Sequence, residues 1–412
     1  MPTLLQINIT ANWGSTGIIA ESIGLAAMRR GWESYIAYGR WSNASQSHLI
    51  KVGKRIDTYI HYGQQRILDN EGLCSCRSTQ RLIRLIKEIR PDVVQLHNIH
   101  DHYLNYRLLF EYLNQTDIKV VWTFHDFWAL TGHCMHFVSV NCDRYQTGCY
   151  DCPMRNKYPK TVLDRSTKNW NLKKQLFLAN KNLTVVPVSD WVGEQVSKSF
   201  LKDHRIQVIN NGINISVFKP TSFSEIPHLS AQIESFQALT NGKFVIMSVA
   251  SQWKYEKGLN DYKAMAKMLK EDEVIALVGV DDDVIKELPS NIIGIKRTNN
   301  AQELAALYTR ADVVTVFSSA ETFGLTVVEG YACGTPAVVY NNTALPLLID
   351  MRTGYVVENK NFHCAYSAIQ QIKINGKQLY TEYCIRVAKD KYDKEKCLEK
   401  YLDLYEELIS KE

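Results

Sequence analysis

Short apolar runs bounded by polar turns alternate along this chain with longer stretches in which apolar residues recur every three or four positions. The short runs predict buried strands and the longer period predicts helices. The first run, Leu4-Leu5-Gln6-Ile7-Asn8-Ile9, reads as a strand, followed by a glycine-containing loop over Asn12–Gly17 and a helix from Ile18 to about Arg30. Strands are also predicted at Tyr35–Tyr38, Val93–Leu96, Lys119–Phe124 and Thr184–Val188. Leu82, Ile83, Leu85, Ile86 and Ile89 recur at helical spacing until Pro91 stops that helix. The second half repeats the order. Strands are predicted at Phe244–Val249, Val274–Val278, Val313–Phe317 and Ala337–Tyr340, with helices at Leu259–Leu269, Ala301–Tyr308 and Gly324–Ala332 between them. Strand–helix alternation on both sides of residue 215 predicts an α/β chain with two doubly wound parallel sheets.

The division is expected near Asn210-Asn211-Gly212. Residues 1–210 would form one Rossmann-like domain and 211–375 a second, the two facing a cleft at their C-terminal strand edges, where such sheets bind ligands. Residues 221–241 carry few periodic apolar positions and read as a surface excursion. Residues 376–412 read as a charged helical segment, with Tyr401, Leu402, Leu404, Tyr405 and Leu408 on one face, packing back toward the N-terminal domain.

Composition narrows the classes. The chain has 412 residues, 45% hydrophobic and 22% charged, which excludes wholesale disorder. No apolar run approaches the length of a membrane span, and the N-terminus carries no secretory pattern, so a cytoplasmic chain is expected. Its ten cysteines are then expected as thiols or metal ligands. Residues 1–210 hold 26 Lys and Arg against 17 Asp and Glu, a surplus of nine, while 211–412 hold 22 against 26. That asymmetry fits an anionic partner for the first half and fits an ordinary surface equally well. No aromatic-interleaved basic stripe appears, which argues against nucleic acid.

The segment with the most chemistry is Ser318–Gly330. Glu321 lies in a loop after a buried strand, and Glu329 lies two turns into the helix that follows. A helix N-terminus behind Gly324 offers unpaired amides and about half a positive charge, suited to a diphosphate. Glu321 can then reach a sugar, and Glu329 can accept from vicinal ribose hydroxyls. Helix capping by Glu321 and solvation of Glu329 are the alternative on geometry alone.

This segment resembles the E-x7-E motif of family 4 glycosyltransferases, and the resemblance extends over nearly the whole chain. It includes Asn211-Gly212-Ile213-Asn214, Phe218-Lys219-Pro220, Lys257-Gly258, Gly334-Thr335-Pro336 and Thr353-Gly354. It implies a retaining glycosyltransferase of the GT-B fold using a nucleoside diphosphate sugar, with no metal needed for the chemistry. Carried onto this chain, it implies that Lys257 binds the donor diphosphate and Glu321 contacts the transferred sugar, with His125 near the reacting sugar. Backbone amides of Gly324, Leu325 and Thr326 would contact sugar or phosphate, and Glu329 the ribose. The loop of Gly14, Ser15, Thr16 and Gly17 would close over the donor. The chain departs from the family at Gln252, where an arginine is usual; either Trp253 or Lys254 compensates, or donor affinity is weaker or a different group holds the phosphate. It departs again at Leu347, after Pro346, where a glutamate is often found, so no contact is assigned there.

Cys134, Cys142, Cys149 and Cys152 are spaced C-x7-C-x6-C-x2-C, which suits a structural tetrahedral zinc, and equally four unmetallated thiols. With His125-Asp126-Phe127-Trp128 ahead of it, this block resembles colanic-acid and other exopolysaccharide-type members of the family. It would lie in a loop, 131–153, bordering the acceptor groove. Asp281-Asp282-Asp283 mimics a metal-binding D-x-D but is expected to cap a helix. His97, His100 and His102 could form a metal cluster, but their place just after a strand end, facing the expected cleft, favours a lone polar contact to acceptor over a metal. The basic helix Arg81–Arg90 suits either an anionic membrane surface or ordinary solvent. The expected activity is transfer of a hexose-type sugar to a lipid-linked glycan during surface or extracellular polysaccharide synthesis, at the inner face of the plasma membrane. A small soluble acceptor, or a non-catalytic nucleotide-sugar-binding scaffold, are the other readings.

Overall fold

A computed structural model describes residues 1–253 and 255–410. The chain divides into two compact units, residues 1–210 with 398–412, and residues 211–397.

The first unit carries β1 (Thr3–Asn8), α1 (Gly14–Arg29), β2 (Glu33–Tyr38), β3 (His48–Lys51), α2 (Arg55–Leu68), α3 (Cys76–Ile89) and β4 (Val93–Leu96). It continues with α4 (Tyr106–Leu113), β5 (Lys119–Phe124), α5 (Ser166–Leu178), β6 (Leu183–Pro187), α6 (Asp190–Ser197) and β7 (Arg205–Ile206). Its seven strands lie in the order β3-β2-β1-β4-β5-β6-β7, every pair parallel. Strands β1, β4 and β6 are buried at every position, as a parallel sheet covered on both faces requires.

The second unit opens with α7 (Ala231–Leu239), β8 (Phe244–Val249), α8 (Leu259–Met265), β9 (Glu273–Val278), α9 (Asp282–Lys286), β10 (Ile292–Ile295) and α10 (Ala301–Arg310). Then come β11 (Val313–Val316), α11 (Leu325–Ala332), β12 (Ala337–Tyr340), β13 (Gly354–Val357), α12 (Phe362–Asn375) and α13 (Gln378–Lys391). The last helix, α14 (Lys394–Ser410), begins in the second unit and passes at Leu398 into the first. The six strands lie in the order β10-β9-β8-β11-β12-β13, again parallel throughout. In each sheet the winding reverses beside the first strand, at β1/β4 and at β8/β11. Ligands of doubly wound sheets bind at that switch point, outside the C-terminal strand ends.

The stretch read as a surface excursion is structured. Phe223, Ile226, Ile233 and Phe236 are buried, the last two on α7. Two apolar pairs three residues apart anchor it, too few to register as a periodic face. The terminal segment is also shared: α13 packs on α11, whereas Tyr401, Leu402, Leu404 and Tyr405 of α14 are buried with Leu4, Trp32, Val93, Val121, Val186 and Ile209 of the first unit. Arg30 pairs with Glu399, Asp403 and Glu406 along the same helix.

Candidate functional site

In the second unit Lys257 and Glu321 come together. Lys257 ends a single 3-10 turn after β8, and Glu321 lies in the loop after β11, so both stand at the β8/β11 switch point. The Lys257 Nζ lies 2.5 Å from Glu321 Oε1. Gly258 makes this approach feasible. Its φ of +75° starts α8 from a left-handed residue, and a Cβ there would stand 2.7 Å from the carbonyl oxygen of Phe317 at the end of β11. The far side of the loop is pinned as well. The Glu321 amide donates to Thr343 Oγ1 at 2.9 Å, and the Ser319 amide donates to the carbonyl of Glu256 at 2.8 Å. Gly324, at φ +104°, precedes Leu325 and Thr326, and α11 has no side-chain cap over its first turn. Its leading amides are thus open to an anion.

Glu329 sits just over one turn into α11, half-buried, and accepts from the Tyr308 hydroxyl at 2.8 Å. Burial pushes its carboxyl up to about 7, against the pull of that hydrogen bond. Tyr308 was not legible as a site residue, because in sequence it is one more apolar position of α10. At the Gln252 departure, Trp253 is buried, with its indole N–H donated to the Val278 carbonyl at 2.9 Å. That donor is committed to the core, which removes Trp253 as a replacement for the missing arginine. Lys254 lies outside the described residues. Asp281 caps α9 through the Val284 amide at 3.0 Å. Asp282 and Asp283 pair with Lys296 and Lys286 respectively. The acidic triplet is a helix start.

In the first unit the Gly14–Gly17 segment is the first turn of α1, which begins four residues before the predicted Ile18 and displaces the expected loop. Gly14 takes a φ of +65°, which a residue without a Cβ adopts freely. Asn8, at the end of β1, ties this turn to the next strand. It donates to Thr16 Oγ1 at 3.3 Å and accepts from the Asn98 amide at 3.2 Å.

His125 follows β5, and its Nε2 lies 3.0 Å from His97 Nδ1. The tautomers follow from the chain of bonds behind it. Gln6 donates its amide nitrogen to the Ala20 carbonyl. Its Oε1 therefore accepts from His97 Nε2–H at 3.1 Å. His97 Nδ1 then accepts from His125 Nε2–H, leaving a lone pair on His125 Nδ1. Burial lowers His97 well below the usual histidine range and His125 to about 4, so both are neutral near pH 7. Gln6 had one available signal, a polar residue inside an otherwise apolar strand; it is fully buried.

The three histidines after β4 do not converge. His97 bonds Gln6 and His125, His100 Nε2 meets Asp126 Oδ2 at 2.9 Å, and His102 Nδ1 lies 3.2 Å from an Arg40 nitrogen. Cys134, Cys142, Cys149 and Cys152 line a common pocket. Cys149 Sγ accepts from the Gly132 amide at 3.2 Å, and a bond to Cys134 lowers the Cys152 thiol to about 7. Among the described residues, however, no three of these sulfurs fall within 4.8 Å of one another. The tetrahedral zinc arrangement expected of them is not assembled.

Residues 17–217 match the family described as Glycosyltransferase Family 4, and residues 231–389 match Glycosyl transferases group 1. The chain belongs to glycosyltransferase family 4. A curated relative is the putative colanic acid biosynthesis glycosyl transferase WcaC of Escherichia coli K12, 21% identical over 98% of this chain and all of the relative. Among solved structures, sucrose-phosphate synthase from Thermosynechococcus elongatus aligns over all of both chains with a TM-score of 0.71 and 16% identity. HepE of Anabaena, solved in complex with UDP, aligns over 99% of this glycosyltransferase and all of that chain, with a TM-score of 0.67 and 14% identity. These likenesses establish the GT-B fold. No described helix is long and apolar enough to cross a membrane.

Proposed function

We propose that this glycosyltransferase moves a hexose-type sugar, with retention, from a nucleoside diphosphate sugar to a lipid-linked glycan in surface or extracellular polysaccharide synthesis. The observation that carries the donor half is the Lys257–Glu321 pair beside the open first turn of α11, at the switch point of the second sheet. In the donor complex the diphosphate takes the Lys257 ammonium and the amides of Gly324, Leu325 and Thr326. Negative charge grows on the leaving phosphate as the glycosidic bond breaks, and these groups stabilise it in the transition state. Glu321, released from Lys257, turns to the sugar, and Glu329 accepts from the ribose. His125 Nδ1 accepts from a sugar hydroxyl. The leaving phosphate takes the acceptor's proton on the face it vacates, which preserves the anomeric configuration. Gly14, Ser15, Thr16 and Gly17 serve the donor through the first-turn amides of α1.

The polysaccharide setting is supported by the likeness to the colanic acid glycosyl transferase, and the nucleotide by the UDP complex of HepE. The membrane side is supported by α3 and its C-terminal cap, where Arg81, Arg84, Lys87 and the capping Arg90 are all exposed while Leu82 and Ile86 are buried. Such a basic face suits anionic headgroups around a lipid-linked acceptor.

A thermal-shift series with UDP, GDP and their sugar conjugates, without divalent metal, tests the donor half. A nucleotide at about 100 times its dissociation constant adds about 2.7 kcal/mol. Stabilisation by one nucleotide family, kept in Glu321→Ala while sugar transfer is lost, is the expected result. A flat series overturns the donor assignment. Equal transfer to lipid-linked and soluble glycans overturns the acceptor assignment.

A further inference from the structure

The first unit holds a second buried polar cluster that the glycosyl-transfer reading does not use. Glu71 lies in the connection between α2 and α3, and His100 and Asp101 follow β4. Glu71 and His100 are 6% and 4% exposed. One ligand atom from each of Glu71, His100 and Asp101 falls within 4.8 Å of the others, the only such trio among the described residues. Glu71 Oε1 accepts from the Asp101 amide at 3.2 Å, but its Oε2 is buried with no hydrogen-bond partner. His100 Nδ1 is likewise buried and unpartnered. Leaving such an atom unsatisfied is costly, and here two orphans sit in one cluster with a carboxylate.

The surroundings add a pattern. His100 directs Nε2 at Asp126 Oδ2, 2.9 Å away, and Asp126 Oδ1 is itself held by the Trp128 amide. A histidine that gives one nitrogen to a carboxylate presents the other as a ligand of fixed direction and raised basicity. The neighbouring cation, Lys173, spends its protons elsewhere, on the carbonyls of Trp128 at 2.6 Å and Thr131 at 2.9 Å. Three carboxylates, Glu71, Asp101 and Asp126, thus gather around one imidazole. Tyr158 donates its hydroxyl to Asp101.

We propose that Glu71, His100 and Asp101 bind a divalent first-row cation, with Asp126 orienting His100 from the outer shell. Two carboxylates and one imidazole favour an ion of the Mn2+ class, with water completing its coordination. The ion takes no part in glycosyl transfer. It satisfies the two orphaned atoms and holds the segment after β4 against Asp126, the residue next to His125.

Mn2+ is the probe, because thiolates select softer ions and the four-cysteine pocket will not compete strongly. The full-length chain, stripped with chelator, is titrated with Mn2+ and free ion is read from the six-line electron paramagnetic resonance signal. One ion bound per chain is expected. Glu71→Gln and Asp101→Asn should each weaken binding by more than tenfold, and Asp126→Asn by about tenfold, with circular dichroism reporting an intact fold. Asp101 is the more exposed ligand, so Asp101→Asn serves if Glu71→Gln does not fold. No binding at millimolar Mn2+ would mean that a charged His100 alone balances the carboxylates, and would overturn the proposal. Binding untouched by the Glu71 and Asp101 variants would overturn it too. Neither outcome bears on the donor contacts of Lys257, Glu321 and Glu329, which belong to the other unit.

Discussion

Glu329 carries a carboxyl raised to about 7 by burial, so its charge changes in the range where the enzyme is assayed. A ribose hydroxyl donates to the ionised form and lowers the pKa in the complex. Donor affinity should therefore be full above pH 7 and fall as pH drops below it. Calorimetric titration of the nucleotide from pH 8 to pH 5.5 checks this, and Glu329→Gln should flatten the profile at a weaker affinity. This residue was readable from sequence because the E-x7-E spacing and the glycine ahead of the helix are local. Tyr308 and Gln6 were not readable, because each acts through a partner far along the chain. Trp253 shows the converse: its sequence position made it a candidate phosphate contact, and the Val278 carbonyl decided otherwise.

Among the elements, the turn from β8 into α8 depends on one glycine. Gly258→Ala places a Cβ against the Phe317 backbone in a left-handed conformation, which should cost about 2 kcal/mol. It should also move Lys257 off Glu321. A lowered melting temperature together with lost nucleotide stabilisation is the expected outcome. The second sheet has its own electrostatic anchor. Glu273 on β9 is bonded by Lys373, Gln370 and Tyr366 of α12. Burial works to raise its pKa, but these bonds and the Lys270 amide prevail and hold it at about 2. An unfolded glutamate titrates near 4.3, so this stability is complete above that pH and is lost as pH falls toward 2. Urea midpoints at pH 6 and pH 3 should differ in the wild type and converge in Glu273→Gln, which should lose about 2 kcal/mol at pH 6. The elements most legible in sequence were the central strands: Lys119–Phe124, Phe244–Val249 and Ala337–Tyr340 have the predicted bounds. Edge strands such as His48–Lys51, mostly exposed, and two-residue β7 carry too little apolar pattern to be seen.

At the scale of the molecule, the last helix completes a core that the first 210 residues begin. Leu402 is fully buried against Leu4, Val93, Val121 and Val186. Leu402→Ala should cost about 2–5 kcal/mol, read as a fall in the unfolding midpoint of the first unit. Ending the chain after Cys397 uncovers that whole sheet face and should make the first unit protease-sensitive. What the sequence by itself determined was the α/β alternation, the apolar strands of both sheets and the local constellation around Glu321 and Glu329. Those features depend on residues within a few turns of one another, so periodicity and spacing carry them. Only the tertiary structure decided the rest. It set the pairing of Lys257 with Glu321 across 64 residues and the Gln6–His97–His125 chain. It also gathered the four thiols around one pocket without closing three of them into a trio, and brought Glu71 to His100 and Asp101. Each of these arises where parallel strands distant in sequence end side by side, and a parallel sheet makes neighbours only after a long crossover. Local sequence holds no record of which strand ends will meet.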